Sequence, residues 1–363
     1  MPNTSTRVIP KLQDVNGEVL DQKKIDRLEF KNLIIENIVI ISRWEIKESS
    51  QLTCFRALRH QLVIPDFRGF TAKIDEIFNE SRKISTGKNA DYIPQLARMK
   101  SNHFGMSLCT VDGQRHSLGE SQVKFTLQSV SKALIYAIAL NELGREVVHK
   151  YLGMEPSGRR FNDMELDYNH QPHNPMVNAG AILTVSLLQR LIQPQMSMAE
   201  KFDYILDYFT RMSGGEPIFF NNSVFLAERE HADRNFAIAY QLKENGCFPE
   251  GTSIKDCMDL WYQCCSMEVT RETVAVIGAT LANGGVAPIT GEKVMKPDAV
   301  RDVLSLLHSC GFYEYSGAFA FKVGIPGKSS VAGCMMMVLP NTMGICLWSP
   351  PLDKYGNSAR GLE

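Results

Sequence analysis

Ser129 and Lys132 stand three residues apart in FTLQSVSKALIYAIAL, and Lys132 is the only charged residue between Gln128 and Leu140. On a helix, positions three apart lie about 60° apart around the axis, so these two share a face, whereas Ser131, next to the lysine, points elsewhere. This is the spacing at which a serine can be acylated with a lysine as its proton partner. Burial disfavours an ammonium and lowers its pKa, leaving neutral amine to accept the serine proton. A serine at a helix N-terminus also offers its own backbone N–H to a developing oxyanion. Two bland alternatives remain at this spacing: a serine that only caps the helix, and a lysine that reaches back to solvent.

The elements that must position this pair follow from hydrophobic periodicity. Residues 22–62 carry apolar side chains at three- and four-residue spacing and predict helices, ending where Pro65 breaks the pattern. FGMSLCTVDGQ, from Phe104, predicts a strand closing in an Asp-Gly turn. Helices are expected near 129–143, 174–191, 198–212, 233–243, 255–265 and 269–281. GAFAFKVGI, SSVAGCMMMVLP and MGICLWSP then predict three strands separated by the turns PGK and PNT. One strand early, helices in the middle and an antiparallel meander at the end give an α+β fold, with helices covering a sheet closed by distant parts of the chain. The expected organisation is a helical N-terminal region over 1–64 and a catalytic domain over 65–363.

Composition narrows the function classes. A formal net charge of -1 provides no basic field for nucleic acid or an anionic membrane. The longest apolar runs are strand-length, far short of a membrane span. Nine cysteines without CxxC pairs fit free thiols in a reducing compartment. The N-terminal residues carry neither the apolar core of a secretory signal nor an Arg-rich amphipathic pattern, so a cytosolic or a processed chain is expected. DVNGE, from Asp14, lacks the ligand register of a calcium loop, and His170 and His173 have no companion ligands in sequence for a metal.

Further motifs carry a family resemblance. DYIPQLA from Asp91, VDGQRHS from Val111, PHNPMVNAGAI from Pro172, ERE from Glu228 with DRNFAI from Asp233, and EVT from Glu268 occur in that order. CGFYEYSG from Cys310, KSSVAG from Lys328 and WSPPLDKYGNS from Trp348 follow. Together with the serine–lysine pair they resemble the serine-dependent glutaminases, most closely the animal kidney and liver type, and KSSVAG resembles the Lys-Thr-Gly strand of penicillin-recognising enzymes. The resemblance implies a β-lactamase-like fold and hydrolysis of L-glutamine to L-glutamate and ammonia through a γ-glutamyl-serine intermediate, with no cofactor and no metal. It assigns Ser129 as nucleophile, Lys132 as its proton acceptor and Tyr313 as a member of the proton relay, with the N–H groups of Ser129 and Val331 as oxyanion donors. It places Glu228 against the substrate ammonium and Tyr92, Gln128, Asn178, Asn235 and Trp261 among the pocket's ligands. Inorganic phosphate as activator, a dimeric or tetrameric assembly and a mitochondrial location are likewise implied by resemblance, with a cytoplasmic location as the alternative.

Four departures from the family pattern qualify this reading. Trp261 occupies the place of a pocket tyrosine, and an indole has one donor and no acceptor. Tyr262 beside it is rotated by about 100° on the helix and is expected to face elsewhere. Ser330 and Cys334 replace glycines, adding side chains beside the oxyanion strand. In GRRFNDMELD, from Gly158, Glu165 replaces an aromatic residue, and Gln241 replaces a tyrosine near the dimer–dimer contact of animal relatives. The chain also stops at NSARGLE, before the family's C-terminal segment, as a trimmed or short form would. The alternatives are a glutamine-binding relative with weakened catalysis, acting as scaffold or sensor, and another acyl-serine hydrolase of the same fold.

Overall fold

The computed structural model describes residues 62–120 and 123–363. The helices expected over 22–62 therefore lie outside the described residues except for position 62, and so does the Asp14 stretch.

Strands β1 (Gly105–Thr110) and β2 (Arg115–Gly119) turn at Asp112–Gly113, where Gly113 adopts φ 91°. Strands β7 (Cys334–Leu339) and β8 (Met343–Trp348) turn at Pro340–Thr342, with Asn341 at φ 59°. Both turns sit where the Asp-Gly and PNT signals put them. The main sheet is antiparallel in the order β2-β1-β8-β7-β6, with β6 (Gly327–Ser329) at one edge. Gly105 pairs with Trp348 and Thr110 with Met343, so an early strand and the last strand close the sheet. A smaller sheet joins β3 (Phe125–Thr126), β5 (Met267–Val269) and β4 (Phe219–Phe220) in the order β3-β5-β4.

The longer helices among the described residues are α1 (Phe67–Ser81), α2 (Val130–Leu143), α3 (Asn178–Leu191), α4 (Met198–Met212), α5 (Asn222–Glu230), α6 (Asp233–Glu244), α7 (Ile254–Cys265), α8 (Arg271–Ala282), α9 (Pro297–Cys310) and α10 (Ser316–Lys322). The α4 start is set locally by a capping box between Ser197 and Glu200. Helix α8 lies on the sheet because Gly344 has no side chain: a Cβ there would stand 2.1 Å from the Ala279 nitrogen. Helix α2 packs against α3 and α9 and is buried on every side from Val130 to Asn141. Each fully buried leucine or isoleucine in it, such as Leu134 or Ile138, contributes about 1.5–3 kcal/mol, and that surplus can carry one buried lysine. No described helix is long and apolar enough to cross a membrane.

Two strand expectations fail at the C-terminal meander. GAFAFKVGI forms helix α10, with Phe319 stacked on Phe312 at 3.8 Å between ring centroids. Alternation over so short a segment does not separate strand from helix, and this aromatic contact holds the helical form. SSVAGCMMMVLP is not one strand: β6 ends at Ser329, a turn spans 330–333 with Gly333 at φ 82°, and β7 begins at Cys334. A Cβ at Gly333 would meet the Ser349 carbonyl oxygen at 2.0 Å, so the turn can form only at a glycine. Helices α1, α5 and α9 were not anticipated.

Candidate active site

The N-terminus of α2 leaves one serine hydroxyl without a capping bond. Ser129 is the N-cap, already helical in backbone (φ -65°, ψ -11°), and its hydroxyl makes no capping bond. Ser131 turns inward and donates to the Gln128 carbonyl at 2.7 Å. Gln128 holds a left-handed backbone at φ 47°, pinned by its N–H donating to the Cys265 carbonyl at 2.9 Å. Tyr313 is left-handed too, at φ 53°. Such backbone costs about 1–3 kcal/mol at a non-glycine residue and tends to gather at functional sites.

Lys132 does not reach solvent. It is 1% exposed, and its Nζ donates to Asn178 Oδ1 at 2.6 Å and to the Met176 carbonyl at 3.3 Å. No ion pair to Lys132 occurs among the described residues, and burial pulls its pKa down to about 8, against a weaker opposing effect of Cys265. Gly180 makes this contact possible, since a Cβ there would stand 1.9 Å from the Asn174 carbonyl oxygen and hold α3 away from the 174–176 segment. Thus both bland alternatives for the pair, a capping hydroxyl and a solvated lysine, fail on geometry.

The Tyr313 hydroxyl is buried and meets no partner at full hydrogen-bond geometry. The Ser129 hydroxyl and the Val331 amide nevertheless stand close enough to ease its ionisation in part, while burial dominates and pushes its pKa up. Ser129, Tyr313 and Val331 therefore converge on one point. A cavity of about 290 Å³ is lined by Tyr313 together with Pro156, Phe161 and Cys310 among others. The Phe161 ring lies 4.9 Å from the Tyr313 ring, and Lys132 Nζ lies 5.6 Å from the Phe161 ring. The Phe161 carbonyl accepts from the Asn178 N–H at 2.7 Å, which ties the 158–167 loop to the start of α3.

A carboxylate sits opposite. Glu228, on α5 and 7% exposed, accepts from the Tyr92 hydroxyl at 2.7 Å. Burial raises its pKa, while Tyr92, Gln128 and the charge of His231 oppose the rise. Among the described residues no cation forms an ion pair with it. A buried carboxylate held by neutral donors is a ready seat for an ammonium group.

Three residues escaped the sequence reading. Lys328 is fully buried, donates to the Ser329 and Gly311 carbonyls at 2.8 and 3.3 Å, and lies 4.6 Å from the Tyr313 ring centroid. Burial, and then the charge of Lys132, hold its pKa well down. KSSVAG was the available signal, although the motif alone does not say where its lysine goes. Phe161, in the quoted GRRFNDMELD, carried no sign that it would meet both Lys132 and Tyr313. The third is Tyr262: its hydroxyl accepts from Asn235 Nδ2 at 3.2 Å, and Asn235 Oδ1 accepts from Asn178 Nδ2 at 2.8 Å. The expectation that Tyr262 faces away considered only its own helix; Asn235 comes from α6, which packs on that side. Trp261 is 3% exposed and its Nε1 has no partner among the described residues.

The glycine replacements are accommodated. Ser330 Oγ accepts from the Ala332 N–H at 3.2 Å, stiffening the turn that carries Val331. Cys334 is fully buried with its sulfur 3.7 Å from that of Cys346. No group of three or more His, Cys, Asp or Glu that could hold a metal occurs among the described residues.

An antiparallel sheet backed by a buried helix that opens with a serine–lysine pair is the β-lactamase-like fold. The structure described as probable glutaminase ybaS superposes with a TM-score of 0.77 at 34% identity, over 82% of this chain and 94% of that one. The sequence model of the glutaminase family matches residues 87–363. The mitochondrial liver isoforms of glutaminase from Rattus norvegicus and Mus musculus are each 48% identical over 353 residues, 97% of this chain and 56% of theirs. The chain belongs to the glutaminase family. It spans about half the length of these curated relatives.

Proposed function

We propose that the protein hydrolyses the side-chain amide of L-glutamine, giving L-glutamate and ammonia, with Ser129 as nucleophile. The observation that carries this reading is the buried Lys132, with no ion-pair partner among the described residues, on the face of α2 that it shares with Ser129, whose hydroxyl is not spent on a cap. The neutral amine takes the Ser129 proton as Oγ attacks the amide carbon. The N–H groups of Ser129 and Val331 receive the oxyanion. Burial keeps Tyr313 protonated at working pH, which makes it a donor: it protonates the leaving nitrogen and is reprotonated from Lys132 as the C–N bond breaks and ammonia departs. Water then attacks the γ-glutamyl ester, losing a proton to Lys132, and the lysine returns that proton to Ser129. Catalysis needs no cofactor in this scheme. Glu228 and Tyr92 receive the α-ammonium of the free amino acid, and Gln128, Asn178, Asn235 and Trp261 complete the pocket. Free hydroxyls and amides that are left unpaired by a wrong ligand supply the selectivity.

The same reading includes a dimeric or tetrameric assembly, activation by inorganic phosphate, and, following the names of the rat and mouse relatives, a mitochondrial location. Because the base must be neutral, kcat/KM should rise about tenfold per pH unit below about 8 and level off above it. A profile flat from acid to alkaline pH would contradict Lys132 as the base. The direct test is ammonia release from L-glutamine, with and without phosphate. Release in neither condition by a folded protein sinks the proposed activity, and glutamine binding without release would favour the weakened relative.

The 158–167 loop supports one further expectation. Arg159 Nε and Glu165 Oε2 form an ion pair at 2.7 Å, in a loop that the family resemblance implies is apolar in animal relatives. Apolar inhibitors that insert between dimers of those relatives should bind poorly here; nanomolar inhibition by one of them would refute this.

A further inference from the structure

The hydrogen-bond chain that leaves Lys132 has a fixed direction. An ammonium or amine N–H of Lys132 donates to Asn178 Oδ1, so the Asn178 amide nitrogen must face Asn235. Asn235 therefore accepts through Oδ1 and donates through Nδ2, and the chain ends on the Tyr262 hydroxyl as acceptor. Neither asparagine can flip without setting two donors or two acceptors against each other. A terminal acceptor is thus required, and in this chain Tyr262 provides it. The neighbouring Trp261 cannot, because an indole N–H only donates.

We propose that Tyr262 is a positioning residue for substrate selection, resting on the glutaminase reading above. Each amide oxygen already accepts one bond within the chain, and each amide nitrogen keeps one spare N–H. With both oxygens turned into the chain, the pocket wall made by Asn178 and Asn235 offers mainly N–H donors. Such a wall suits the α-carboxylate of an amino acid, which only accepts, and suits poorly a neutral group that must also donate. Tyr262 is buried with its hydroxyl bonded to Asn235, so it acts through that residue. It lies three hydrogen bonds from Lys132, so its loss should fall on binding of the carboxylate more than on proton transfer.

The test is Tyr262→Phe, which keeps the ring and removes the acceptor. KM for L-glutamine should rise about tenfold with kcat within about twofold, as expected for one neutral hydrogen bond. The decisive readout is the preference for L-glutamine over 4-aminobutanamide, the analogue without the α-carboxylate. That preference should fall about tenfold in Tyr262→Phe, while kcat/KM for the analogue stays level. In the Asn235→Ala background the same change should have no further effect. Incorporating 3-fluorotyrosine at position 262, which preserves the shape and weakens the acceptor, should move KM in the same direction and covers a Tyr262→Phe variant that does not fold. An unchanged preference in a wild-type-like background overturns the role of Tyr262 and leaves the glutaminase reading standing. A wild type that turns over neither compound overturns that reading instead.

Discussion

Ser129→Ala should lower kcat for ammonia release from L-glutamine by about 10⁴-fold or more, the scale seen when a nucleophile that works as one unit with its base is removed. The double variant Ser129→Ala with Lys132→Met should be no worse than either single variant, because once the unit is broken its second member has nothing left to do. Stability should separate cleanly from activity. The Ser129 hydroxyl makes no capping bond, so its removal should not incur the roughly 1 kcal/mol that a lost cap usually costs. Lys132→Met should also hold its thermal midpoint. Depressing a lysine pKa from 10.5 to about 8 corresponds to about 3 kcal/mol against its charged form. The Asn178 carbonyl left without its donor costs about 1–3 kcal/mol, so the two terms nearly offset. Steady-state ammonia assays beside thermal melts decide the matter: a Ser129→Ala protein that keeps the wild-type rate would mean that another group attacks the amide.

Glu228→Gln should raise KM for L-glutamine by about 100-fold while changing kcat much less, since truncating one partner of a buried charge pair typically costs 2–5 kcal/mol. Gln retains the shape and can still accept from Tyr92, so the loss isolates the charge that faces the α-ammonium. A substrate without that ammonium, glutaric acid monoamide, should be indifferent to the change or favoured by it. The pH dependence follows from the raised Glu228 pKa. Binding requires the carboxylate, so KM should climb on the acid side at a higher pH than an ordinary glutamate would give. For stability the sign is opposite: a raised folded-state pKa favours the protonated form, and that contribution is lost as pH rises through it. At neutral pH Glu228→Gln should therefore be no less stable than the wild type. If KM barely moves, the ammonium lies elsewhere and the pocket has been assigned back to front.

How far the sequence reaches depends on the distance over which a feature is decided. The span 198–212 was predicted as a helix and matches α4, because a capping box and an apolar stripe lie within a few turns of each other. The span 129–143 missed α2 by one residue, the N-cap itself. GAFAFKVGI misled because nine residues cannot carry enough periodicity, and its helical form rests on Phe312, outside the segment. SSVAGCMMMVLP misled because its break at Gly333 comes from the nearby Ser349 carbonyl, which the sequence does not place.

The site divides along the same line. By itself the sequence determined that Ser129 and Lys132 share a helical face, because three residues and a 100° step settle it. It also determined that the lysine opens an apolar helix. Only the tertiary structure decided that Lys132 is buried against Asn178 with no ion-pair partner among the described residues, that Lys328 comes under the Tyr313 ring, and that Tyr262 ends a chain of hydrogen bonds beginning at Lys132. Those contacts join residues 46, 57 and 27 positions apart, drawn from α2, α3, α6 and α7. A helix face is fixed by local backbone geometry. Which donor meets which acceptor across four helices depends on how their buried faces pack, and only the folded chain specifies that.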